Sequence, residues 1–347
     1  MPDSSSLPLN SLPASSETGA LGVCHVKRLW ARLVQSLTGA GGGHNPDYHL
    51  DRLVTSALGV GIEQVIRFAA QGKLEFSDFE QWLVTTAGLP HPVEVARINA
   101  LINQVAAPAE VVQLQQMVNE MDNVLSPADL QQWNNDGYVI VRNAVSAAQA
   151  ATAAQLVWET AGANPESEQS WYQRSRSNIM LQMFQHPALE DNRRSLRIHK
   201  AFAQLWGSVD LWRNTDRCGF NVPERPGHLF GGPDLHWDVS LHQPIPFATQ
   251  GILYLTDTPP EQGALTLVPG FHHRLKNWLA SLPPDADPRQ QDLHALGSQA
   301  IGGQAGDLVI WHQALPHGSR PNRGQRPRLV QYINMYPAQV ETASVWR

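Results

Sequence analysis

The stretch Asp234-Leu235-His236-Trp237-Asp238 decides how this chain is read. On extended backbone, residues two apart project from one face, so His236 and Asp238 can reach a single metal ion while Trp237 points away into packing. Two histidines and one carboxylate on one face of an ion leave the opposite positions open, which is the donor set of non-haem ferrous sites. Taken alone, a His-x-Asp pair is a weak signal. His49-Leu50-Asp51 is a second one, but the pattern from Asp51 onward is helical, whereas the arrangement needs strands. For the third donor, His312 and His317 both stand downstream.

Around this stretch the chain has the texture of an antiparallel β protein. Beyond Val209, short apolar runs alternate with Gly, Pro, Asn and Asp, and they predict strands at Asp210–Asn214, Cys218–Val222, Leu235–Ser240, Gly251–Thr256, Ala264–Val268, Asp307–Trp311 and Arg328–Tyr336. Regular short strands with turn residues between them indicate a sandwich or jelly roll rather than a βαβ fold. Cupin-like double-stranded β-helices are jelly rolls of this kind, and their open mouth commonly holds a metal. Upstream, Ser126-Pro127 opens a short helix, Gly137 to Val141 reads as a strand, and Ser146 caps a helix to about Glu159.

The first third reads differently. Apolar residues recur at helical spacing over Val23–Leu37, Tyr48–Ala70 and Val93–Val105, and Ser77-Asp78-Phe79-Glu80 has the form of a capping box. Ser- and Pro-rich residues 1–22 predict a mobile tail. The expected division is thus a tail at 1–22, an all-helical extension at 23–120 and a catalytic β domain at 121–347. The class is α+β, mainly β with helical additions.

Charge and composition narrow the function. Net charge is −6 and only 16% of residues are charged, so no positive field exists to draw nucleic acid or anionic lipid. The two cysteines, Cys24 and Cys218, make neither a disulfide framework nor a thiolate metal site. Residues 1–22 lack the form of a secretory signal, and no apolar run has the length of a membrane span. A reducing cytoplasm, which also keeps iron ferrous, is the expected compartment.

Four separated pieces then occur in order: Asp136-Gly137-Tyr138-Val139, the His236/Asp238 stretch, Gly263-Ala264-Leu265-Thr266-Leu267-Val268-Pro269-Gly270, and Gly306-Asp307-Leu308-Val309-Ile310-Trp311 leading to His317-Gly318-Ser319. Arg328 follows eleven residues after His317. Together they resemble the phytanoyl-CoA dioxygenase family of Fe(II)/2-oxoglutarate-dependent oxygenases, over roughly Leu125 to Pro337. The resemblance implies His236, Asp238 and His317 as iron ligands, and it prefers the histidine followed by Gly-Ser over His312. It implies Arg328 and Ser319 as holders of the distal carboxylate of 2-oxoglutarate and, more loosely, Tyr254 as an aromatic beside it. The implied activity uses O2 on an unactivated C–H bond of a small molecule, with hydroxylation favoured over halogenation because Asp238 fills the position that related halogenases leave small. Desaturation and rearrangement stay open.

Two other readings remain at this stage: a binding or regulatory protein on the same fold, and a cupin-type metal enzyme that does not use 2-oxoglutarate. The substrate is not specified. Ser170–Arg176 with Arg213 and Arg217 could hold an anionic compound, or could be a basic loop and inter-strand ion pairs. The extension is expected to cover a sheet edge or to serve as a homodimer or partner surface.

Overall fold

Helical spacing in the first third becomes five helices: α1 (Val26–Leu37), α2 (Tyr48–Ala57), α3 (Ile62–Ala69), α4 (Phe76–Ala87) and α5 (Pro92–Asn103). The computed structural model describes residues 12–39, 45–72, 75–173, 178–341 and 345. The chain divides into two units, Met1–Met117 and Val118–Arg347. In the first, α1 buries Val26, Leu29 and Trp30, the i, i+3, i+4 set of one helix face. Trp30 stacks on Phe79 at 4.4 Å and Phe68 on Trp82 at 4.7 Å. Such ring pairs each contribute about 0.5–1.5 kcal/mol beyond the area they bury.

Two expectations fail in this unit. Residues 12–22 are not a free tail: Thr18 bridges Cys24, Pro13 O accepts from Arg28, and Leu21 N donates to Glu80 at 3.0 Å. Backbone groups held in this way cannot fluctuate as an unstructured segment does. Residues 1–11 lie outside the described residues. The same Glu80 contact explains the second failure. With its carboxylate committed to Leu21, Glu80 does not reach back to Ser77, and α4 starts two residues earlier with Glu75 at its N-cap.

The second unit follows the β reading. Helix α6 (Ala109–Glu120) spans the division, and then α7 (Pro127–Asp136), β1 (Tyr138–Val141), α8 (Ala147–Ala161), β2 (Met180–Leu181), α9 (Pro187–Arg193), α10 (Leu196–Trp206), β3 (Leu211–Arg213) and β4 (Cys218–Asn221) come in order. Strands β5 (Thr249–Tyr254) and β6 (Leu265–Leu267), helix α11 (Phe271–Ser281), and strands β7 (Gln299–Ile301), β8 (Leu308–His312), β9 (His317–Gly318), β10 (Arg328–Tyr332) and β11 (Met335–Pro337) complete it. Both expected caps form: Ser126 Oγ accepts from Asp129 N while the Asp129 carboxylate accepts from Ser126 N, and Ser146 and Gln149 repeat the exchange.

One sheet has six strands in the order β1-β8-β5-β10-β4-β2, a second has three in the order β7-β6-β9, and all their pairings are antiparallel. Strands β3 and β11 form a separate pair. Ile252 and Tyr254 of β5, Val309 and Trp311 of β8 and Val330 of β10 meet Leu265 and Leu267 of β6 and Ile301 of β7 in one buried cluster. The two sheets therefore stack face to face, and each fully buried large apolar side chain contributes about 1.5–3 kcal/mol. The outer face of the large sheet is covered by helix: buried Gln331 of β10 accepts from Asn192 and donates to Leu189 O.

The strand expected at Leu235–Ser240 is absent. Only His236 is paired there, through an isolated bridge to His317. The remainder of that segment is irregular and is held by side chains, as described below.

Among the described residues, no helix is long and apolar enough to cross a membrane.

Candidate metal centre

His317 opens β9 at the end of the small sheet, where Leu267 faces it across the ladder. His236 lies alongside: His236 N donates to His317 O at 2.9 Å and His317 N to His236 O at 3.0 Å. Such close backbone approach needs a glycine at 318, where a Cβ would lie 2.4 Å from Asp234 O. Asp238 then faces both rings, with Oδ1 3.2 Å from His236 Nε2 and Oδ2 3.2 Å from His317 Nε2. Among the described residues, His236, Asp238 and His317 are the one group of three such side chains whose donor atoms all lie within 4.8 Å of one another.

Hydrogen bonds fix which nitrogens are offered. His236 Nδ1 meets Asp234 O at 2.6 Å and His317 Nδ1 meets Leu315 O at 3.1 Å. A carbonyl can only accept, so each Nδ1 carries a hydrogen, and Nε2, which donates to Asp238 while protonated, is the nitrogen that would turn a lone pair to an ion. Electrostatics point the same way. Burial raises the Asp238 carboxyl, but hydrogen bonds from His236 and His317 and their charges outweigh it and hold it well below the usual carboxylate range. Burial pulls His236 down, and Asp238 with the Asp234 carbonyl overcomes this and raises it. Two imidazoles aimed at one carboxylate are an arrangement that a shared cation satisfies. The donor set fits a divalent ion with room on its far side.

Two residues that the sequence did not single out, Arg289 and Gln250, hold this set together with Trp237. Arg289 donates to Trp237 O and to Val239 O, both at 2.6 Å, gripping the main chain on either side of Asp238. Trp237 is buried and donates to Ala314 O at 2.9 Å, so it points into packing as expected. Gln250 of β5 donates to Asp238 Oδ2 at 2.6 Å and accepts from Trp311 Nε1 at 2.9 Å.

The other predicted site residues fall as follows. Arg328 is 0% exposed and shares the inward face of β10 with Val330 and Tyr332; its Nε, Nη1 and Nη2 have no hydrogen-bond partner. A buried guanidinium with five unmet donors is costly unless an anion joins it. Ser319 is buried two residues beyond His317, with its amide on Pro233 O. Tyr254 is buried opposite Val330, and its hydroxyl is committed to the second sheet, donating to Ile301 O and accepting from Leu265 N. It therefore has only its ring to offer a ligand. Arg213 and Arg217 stand beside Glu190 and Asp216, the ion-pair alternative, while residues 174–177 of the basic loop lie outside the described residues. Asp51 of the decoy motif is committed to His25 and Arg32.

His312 is turned away. Its Nδ1 accepts from Ala314 N, and its ring packs on Trp133, Phe247 and His272. Burial, with His272 and His273 nearby, lowers it to about 4; burial and His273 lower His272 to about 4. Both rings are thus neutral in the folded protein, whereas an unfolded histidine takes up a proton near pH 6.5. Their contribution is complete above about pH 6.5 and is lost as pH falls towards 4, about 1–2 kcal/mol each after discounting for solvent screening. Metal-free His312→Phe protein is expected to lose less melting temperature than wild type between pH 6.5 and 4.5. Equal losses would remove His312 from the acid response.

The comparisons with known proteins bear on this geometry. The family model described as "Phytanoyl-CoA dioxygenase (PhyH)" matches residues 100–330. The chain belongs to the phytanoyl-CoA dioxygenase family. The resemblance carried by the four motif pieces is thereby borne out. A curated Dictyostelium discoideum protein named for phytanoyl-CoA dioxygenase is 25% identical over 184 residues, 42% of this chain. The chain spans about half, 53%, of that relative's length. Similar solved structures include the α-ketoglutarate-dependent epimerase SnoN of nogalamycin biosynthesis, at 19% identity over 62% of this chain and 86% of that one with TM-score 0.46. HygX of Streptomyces hygroscopicus, solved with nickel and 2-oxoglutarate, is 15% identical over 61% of this chain and 87% of that one, also with TM-score 0.46.

Proposed function

We propose that this phytanoyl-CoA dioxygenase family member is a non-haem Fe(II)- and 2-oxoglutarate-dependent oxygenase on a double-stranded β-helix, hydroxylating a C–H bond of a small molecule. His236, Asp238 and His317 would hold the ion and Arg328 would take the distal carboxylate of 2-oxoglutarate. The observation that carries this reading is the orphaned guanidinium of Arg328, buried on the inward face of β10. A carboxylate meets such a group through two parallel charge-assisted bonds, which a lysine cannot reproduce.

When bound, iron with 2-oxoglutarate supplies the oxidising power drawn from dioxygen, and the cosubstrate leaves as succinate and carbon dioxide. The chain contributes position and environment. Asp238 brings one negative charge and the two imidazoles none, so a divalent ion there keeps net positive charge for an anionic cosubstrate. Arg328 orients that cosubstrate from the far end, and the surrounding buried faces keep water away. Tyr332, four residues along β10 from Arg328, lies within the fields of both Arg328 and Asp238, with burial the larger influence raising its phenol.

The test is turnover of anaerobically iron-loaded protein, given 2-oxoglutarate and then oxygen. Succinate formation in step with oxygen uptake is expected, with slow uncoupled turnover even before the substrate is known. Oxygen uptake without succinate would favour a metal oxygenase that does not use 2-oxoglutarate. No binding of 2-oxoglutarate at all would favour a binding protein on this fold.

A further inference from the structure

Asp238 lies on irregular chain with its side chain half exposed, so no strand ladder fixes its carboxylate. Arg289 holds the main chain on either side, but a side chain can still turn about its own bonds. Besides the two imidazoles, the group that reaches the carboxylate is Gln250, whose Nε2 is 2.6 Å from Oδ2. The orientation of that amide follows from chemistry. Trp311 sits directly opposite Gln250 across the β5–β8 ladder. Its indole nitrogen can only donate, and it lies 2.9 Å from Oε1. The Gln250 carbonyl must therefore face Trp311, and its NH2 must face Asp238. Trp311 is almost wholly buried, which fixes the far end of the relay.

We propose that Gln250, oriented by Trp311, is a positioning residue that makes Asp238 a one-oxygen ligand. Oδ2, which also faces His317 Nε2 at 3.2 Å, is held by the amide, and Oδ1 would be the oxygen presented to the ion. The proposal rests on the reading of His236, Asp238 and His317 as ligands. Its functional content is coordination number. A carboxylate free to swing can bind through both oxygens and fill a position that a bidentate cosubstrate or dioxygen needs. Held by one oxygen, it leaves three positions open. Gln250 touches neither substrate nor ion in this scheme and acts through Asp238 alone. Supporting partners of this kind commonly change metal affinity by about 10–100-fold when removed.

Co2+ is the probe, since its visible spectrum reports coordination and its affinity can be measured by competition with a coloured chelator. The full-length chain is used throughout, and Gln250→Met keeps the side chain's length and removes its donor. Weaker Co2+ binding by about 10–100-fold is expected, with a shifted visible band as the carboxylate binds through both oxygens. Trp311→Phe should weaken binding less, because the amide remains but loses its orientation. The double variant should be no weaker than Gln250→Met, since Trp311 acts through Gln250. If Gln250→Met does not fold, Gln250→Asn carries the same test, because an amide one methylene shorter cannot span both partners. An unchanged affinity and spectrum in the Gln250 variant, or additive losses in the double variant, would overturn the relay. His317→Ala separates this from the parent reading. If that variant loses Co2+ while the Gln250 variant matches wild type, only the relay falls. If it keeps Co2+ at wild-type affinity, the ligand assignment falls with it.

Discussion

His317→Ala protein is expected to emerge from anaerobic iron loading essentially metal-free, as are His236→Ala and Asp238→Ala. The three donor atoms lie within 4.8 Å of one another, and each removal leaves two donors for a labile divalent ion. The loss should exceed the roughly 10–100-fold that follows removal of a mere supporting partner. His312→Ala, His49→Ala and Asp51→Ala should keep full metal content. The contrast between His317 and His312 is the sharpest part, because both are histidines near the end of β8. His312 gives its Nδ1 lone pair to Ala314 N and its ring to Trp133 and Phe247. His317 instead points Nε2 at Asp238. Full metal in His317→Ala with loss in His312→Ala would transfer the third ligand to His312.

Arg328 should report on 2-oxoglutarate and leave the metal alone. A charge-assisted hydrogen bond contributes about 1.5–3 kcal/mol, and truncation also strands the cosubstrate carboxylate in a dry pocket. At about 1.4 kcal/mol per tenfold, the affinity of Arg328→Ala for 2-oxoglutarate should fall roughly ten- to a few hundredfold. Lysine should restore only part of it. The structure adds a second arm. Without cosubstrate, the guanidinium is fully buried and unpartnered, so it burdens the empty protein. Arg328→Met should therefore melt higher than wild type in the absence of 2-oxoglutarate, by about 1 kcal/mol or more. It should also fail to gain stability when 2-oxoglutarate is added. Titrating the charge-transfer band of the anaerobic ferrous protein measures affinity, and thermal melts measure the rest. A wild-type midpoint in Arg328→Ala would return this arginine to a structural role.

Why were these residues legible from sequence while their supports were not? His236, Asp238, His317 and Arg328 sit in a fixed order of local patterns: a His-x-Asp pair, a Gly-Asp entry to an apolar strand, and a short step to a basic strand start. Gln250 and Arg289 have no local pattern, because each acts on chain far away. Arg289 reaches back 52 residues to Trp237, and Gln250 is paired with Trp311 across 61. A glutamine within the apolar run of β5 was the one available hint. The strand expected at Leu235–Ser240 failed for the same reason, since side chains from elsewhere hold that backbone. The capping box at Ser77 failed because a tertiary partner, Leu21, took Glu80 first. Substrate identity was illegible because the candidate arginines 213 and 217 face local acids and the remaining basic loop is not described.

The reciprocal main-chain hydrogen bonds between His236 and His317 carry a consequence of their own. They set the separation of the two proposed ligands through backbone. In small zinc modules the ion is the organiser, and stripping it unravels the chain. Here the proposed organiser is peptide, so an ion would enter a seat whose ordering cost is met by folding. On this reading, stripping the metal is expected to leave a cooperative thermal melt in place.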